Sequence, residues 1–71
     1  MKAYQIYSYN ENMLYEVHVE CIDYHWKKLY ELMVWINNNG FGKYTHNYYD
    51  KKYRFSFEDE TTAILFKLRF G

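Results

Sequence analysis

Residues 51–71 read KKYRFSFEDETTAILFKLRFG, and this stretch decides the fold class. Tyr53, Phe55 and Phe57 alternate with Lys52, Arg54 and Ser56. That period of two marks a strand with one covered face and one wet face. The strand runs into Glu58-Asp59-Glu60, where Asp59 is placed to cap a helix and the three carboxylates complement its dipole. The closing helix is apolar nearly all round. Ala63, Phe66 and Phe70 fall on one side, and Ile64, Leu65 and Leu68 on another. Such a helix asks to be covered on more than one face.

Working back from this junction, Lys43 to Tyr49 forms the preceding strand, with Asp50-Lys51 at the turn between the two. Upstream, Asp23 is the expected cap of a helix running to about Asn38, and Asn39-Gly40 supplies residues tolerant of positive φ at its end. A 3.6-residue wheel gives Trp26, Leu29, Met33 and Ile36 as the core stripe, widened by Tyr30 and Leu32. Trp35 falls on the opposite side, beside Tyr24, Lys28 and Glu31. Earlier still, Met13, Tyr15, Val17, Val19 and Cys21 alternate with Glu16, His18 and Glu20 as a half-covered strand. Residues 3–9 read as a further strand, joined to it through Asn10-Glu11-Asn12 as a hairpin. The expectation is a single α+β domain over residues 1–71 with the order ββαββα. It has a four-stranded antiparallel sheet and two helices on one face, a ferredoxin-like variant.

Composition bounds the function. A chain of 71 residues hides only about 60% of its unfolded surface, and this one builds its core from ten Tyr, five Phe and two Trp. So many rings cannot all be buried, and some Tyr must face solvent. Nine basic and nine acidic residues cancel, which argues against a bulk phosphate-gripping surface. A lone cysteine, Cys21, suits a reducing compartment. No apolar leader or membrane-length run is present, so a cytoplasmic protein with no membrane partner is expected. Abundant Tyr, Asn, Lys, Ile and Phe, without Pro, match the residues favoured by AT-rich codons.

Sites of chemistry are few. Cys21, Asp23 and His25 lie close in sequence, but no second pair closes a tetrahedral metal site, so no metal and no cofactor are expected. Glu16, His18 and Glu20 share a strand face and could form an acid–base cluster. Alternating polar residues on any wet face look the same, and no phosphate loop or nucleophile elbow accompanies them. The expectation is a non-enzymatic protein. Its candidate partner-binding residues are Trp35, Tyr24, Leu65 and Leu68, since exposed apolar surface beyond what a small monomer normally shows marks interaction sites, and Trp and Tyr dominate binding hot spots. An alternative is a single-stranded RNA or DNA module. It would use Lys51, Lys52 and Arg54 for phosphates and Tyr44, Tyr48 and Tyr49 for stacking.

Two resemblances add to this reading. Phe57-Glu58-Asp59-Glu60 with Ala63 resembles the last strand and helix of the RNA recognition motif. Arg54 and Lys52 stand where that family carries base-stacking rings, so the likeness implies its scaffold and not its stacking. The ending FSFEDETTAILFKLRFG resembles the tail of short accessory proteins of T4-like tailed phages and cyanophages. That resemblance implies a protein that binds and modulates a host or phage protein, in some cases as an inhibitor of host defence. It implies a host-cell protein as partner, and the uncovered apolar helix face adds the expectation of a homo-oligomer.

Overall fold

The structure, a computed structural model, describes residues 3–6 and 12–71. Its elements are β1 (Tyr4–Gln5), β2 (Tyr15–Glu20), α1 (Trp26–Asn39), β3 (Lys43–Tyr49), β4 (Lys52–Phe57) and α2 (Glu60–Phe70). This is an α+β fold with a four-stranded sheet in the order β1-β3-β4-β2. β4 is antiparallel to both β2 and β3, while β1 pairs parallel to β3. The sheet is therefore mixed and not wholly antiparallel.

The expected hairpin between the first two strands does not form. β1 and β2 occupy opposite edges of the sheet. Residues 7–9 of the expected first strand, and Asn10-Glu11 of the expected turn, lie outside the described residues. β1 is fastened instead by backbone bonds from Ala3 to Gly40, Tyr4 to Gly42 and Ile6 to Tyr44. The hairpin β3–β4 does form. Asp50 and Lys51 take φ of 55° and 60°, the doubly positive geometry that matches strand twist in a two-residue turn.

The core lies between the sheet and the two helices. β4 contributes Tyr53, Phe55 and Phe57, all fully buried, because its alternation turns every second ring onto the covered face. Burying each such ring contributes about 2–3 kcal/mol relative to leaving it in water. Phe66 of α2 sits at the centre, its ring 5.0 Å from Phe55, 5.3 Å from Phe57 and 5.2 Å from Phe70.

Both helix caps can be read atom by atom. Asp59 caps α2 as expected, its Oδ2 accepting from the Thr62 amide at 2.8 Å and the Thr62 hydroxyl at 2.7 Å. Glu60 in the first turn and Lys67 and Arg69 in the last suit the helix dipole. α1 starts later than expected. Its cap is His25, whose Nδ1 accepts from the Lys27 amide, and Asp23 stands outside the helix. Gly40 ends α1 at φ −103°, so it is not needed for positive φ. It is needed for space, since a Cβ there would meet Thr62 Cγ2 at 2.6 Å. The left-handed glycine is the next one, Gly42, at φ +77°.

The stripe of α1 also differs from the wheel. Leu32 and Ile36 are buried and Leu29 and Met33 half-buried, but Trp26 and Tyr30 are exposed. Among the described residues no helix is long and apolar enough to cross a membrane.

Candidate interaction surface

The four expected contact residues are not brought together. Trp35 is half-buried in the seam between the helices, with ring centroids 5.9 Å from Phe66 and 5.8 Å from Phe70. Lys28 covers the same seam, its Nζ 5.5 Å from the Phe70 ring, and pairs with Glu31 at 3.2 Å. Tyr24 precedes α1 and leans on the other end of the sheet, 5.5 Å from Tyr48 and 5.9 Å from Tyr53. It keeps half of its surface in solvent. About three helical turns separate it from Trp35.

Leu65 and Leu68 do share a surface, and Ile64 joins them. α2 turns Thr62, Ala63 and Phe66 inward, because Phe66 meets the β4 rings and Asp59 fixes Thr62 at the helix start. At 100° per residue this leaves Ile64, Leu65 and Leu68 pointing away from the core. They are 52%, 43% and 79% exposed. On the β2 side this row borders a shallow groove of mixed character, in which Leu14, Tyr15, Val17, Ala63 and Ile64 are joined by Glu16, Glu60 and Lys67. The groove continues past His18, Phe70 and Gly71. Periodicity alone had already given α2 a second apolar side. The exposed Trp26 and Tyr30 were missed, although Leu29, Leu32, Met33 and Ile36 make a sufficient stripe without them.

The residues of the nucleic-acid alternative divide between the two faces of the sheet. Tyr44 lies in the core, its hydroxyl donating to Asn37 Oδ1 at 3.0 Å, and burial raises its pKa above the usual value. Tyr48 is also on the helix side, donating to the carbonyls of Cys21 and Ile22. Tyr49 is on the open face, with the Arg54 guanidinium 5.1 Å from its ring centre. Lys52 is its cross-strand neighbour, and Lys51 sits in the turn. His18 stands across from Arg54, and Glu20 across from Lys52, so the open face carries both signs of charge.

Glu16 and His18 are in direct contact, Glu16 Oε1 with His18 Nε2, on that same exposed face. Cys21 directs its thiol to the Asp23 carbonyl, and among the described residues no three His, Cys, Asp or Glu side chains gather as a metal site. Comparisons with protein-family models, with curated proteins and with solved structures find no match to this chain.

Proposed function

We propose that this protein is a small non-enzymatic binding module that acts by covering a surface on a protein partner. The observation that supports the reading is the outward row of Ile64, Leu65 and Leu68 beside the β2 groove. Desolvating such a row against a complementary surface supplies about 25 cal/mol per Å² of apolar area. The phage-like ending gives the setting: an accessory protein in the cytoplasm of a host cell, directed at a host or phage protein and able to self-associate. We read β2–α1–β3–β4–α2 as a variant of a ferredoxin-like unit without its last strand, a reading supported by the element order, with β1 at the far edge of the mixed sheet.

The test is capture from host lysate with and without nuclease, using wild type and Leu68→Glu. The expected result is a defined protein retained by wild type, insensitive to nuclease and lost with the variant. Retention that depends on nucleic acid, or that Leu68→Glu leaves intact, overturns the reading. The Tyr49–Arg54 stack favours the second reading, a single-stranded nucleic-acid contact on the open face. Binding of a mixed oligonucleotide pool at low salt, weakened by Arg54→Ala, would carry that reading instead.

A further inference from the structure

The outer edge of β2 is the longest strand edge that no described residue pairs with. β1, at the other edge, is only two residues long, a common way of blunting an edge. β2 runs six residues, Tyr15–Glu20, with no Pro and no Lys. Its hydrogen-bonding phase is fixed. The Cys21 amide donates to the Lys51 carbonyl, so Cys21, Val19, Val17 and Tyr15 turn their backbone groups toward β4. Glu16, His18 and Glu20 must therefore turn their N–H and C=O groups outward.

We infer that this edge pairs with the same edge of a second copy, antiparallel about a two-fold axis at Val17, joining two sheets into one of eight strands. The inference rests on the proposed capacity for self-association and names its surface. A two-fold contact pairs a strand with itself, so few registers are open. With the axis at Val17, Glu16 lies opposite His18 of the second copy and exchanges both backbone bonds with it. By symmetry His18 lies opposite Glu16 of the second copy. Because Glu16 and His18 already touch within one strand, the four side chains alternate in a square. On the covered face Val17 meets its own copy, and Tyr15 meets Val19 of the second copy.

Moving the axis to His18 sets Glu16 against Glu20 of the second copy and His18 against itself. Like groups directly opposite are destabilising, which disfavours that register. An axis at Val19 would also set His18 against Glu20, but it runs Val17 and Glu16 against Cys21 and Ile22, beyond the end of β2, so the Val17 register pairs more of the strand. The chain's zero net charge adds no long-range repulsion between copies.

Equilibrium sedimentation and amide hydrogen exchange on the intact chain test this. Wild type should form a dimer with slowed exchange at Glu16, His18 and Glu20. His18→Glu should weaken the dimer about tenfold by facing carboxylates across the axis. Adding Glu16→Lys in the same chain should restore it. Leu68→Glu should leave the dimer unchanged. A dimer that ignores His18→Glu but is lost with Leu68→Glu overturns the edge while keeping self-association. A wild type that stays monomeric at high concentration overturns both.

Discussion

The Tyr53 hydroxyl accepts from the His25 amide nitrogen at 2.7 Å and donates to the His25 carbonyl oxygen at 2.8 Å. One phenol on the central strand thus satisfies both backbone groups of the residue that caps α1. Burial raises the Tyr53 pKa above its usual value, and the bond to the His25 backbone offsets only part of that rise, so the donor stays protonated at neutral pH. Tyr53→Phe keeps the ring and removes both bonds. It should cost about 1–3 kcal/mol in urea unfolding, since it leaves the His25 amide without its partner, while the His25 carbonyl keeps the bond from the Leu29 amide.

Asp59 holds the start of α2 through the Thr62 amide and hydroxyl together. Asp59→Ala should cost about 1–2 kcal/mol, while Asp59→Asn should retain most of the stability, because an amide oxygen still accepts. Paired denaturation curves check this.

Lys51 takes φ 60° with a side chain that disfavours that geometry. Lys51→Gly should stabilise the fold by about 1 kcal/mol. Thermal melting should then shift upward by about 4–8 °C for a domain of this size.

His46 is half-buried, 5.5 Å from the Phe55 ring, and the Gln5 amide nitrogen lies 3.0 Å from its Nε2. Burial lowers its pKa in the fold. The unfolded chain takes up a proton near the ordinary value of about 6.5, before the folded ring does. The stability contributed by the neutral ring is therefore complete above that value. It is lost as pH falls, until the folded ring also protonates. Urea midpoints should drop between pH 7 and pH 5, and His46→Gln should make that drop smaller.

These residues also show what the sequence carries and what it leaves to tertiary structure. Tyr53, Phe55 and Phe57 announce their strand because alternation is a local property, and Asp59 announces its cap because the bond closes within three residues. Asp23 is the better cap by residue type, yet His25 takes the position. Its backbone is held by Tyr53, which lies 28 residues away. Trp26 and Tyr30 draw the wheel toward themselves by size alone. What buries Trp35 is α2, whose position over the seam is written nowhere near α1. The same holds for β1. Two residues carry too little pattern to name their partner, and proximity in the chain suggests β2 where the fold uses β3. The aliphatic row on α2 was legible, because Ile64, Leu65 and Leu68 are surplus to any single stripe.

The place of β4 in the chain bears on synthesis. It is the strand between β2 and β3, yet among the described elements it follows both of them, and α1 as well, out of the ribosome. Until it emerges, β2 and β3 have no strand to join them, and the nascent chain carries two amphipathic strands with their apolar faces bare. Assembly of this sheet must therefore wait for β4, and a chain cut short before Lys52 should be a substrate for chaperones and proteases, lacking the strand that joins β2 to β3.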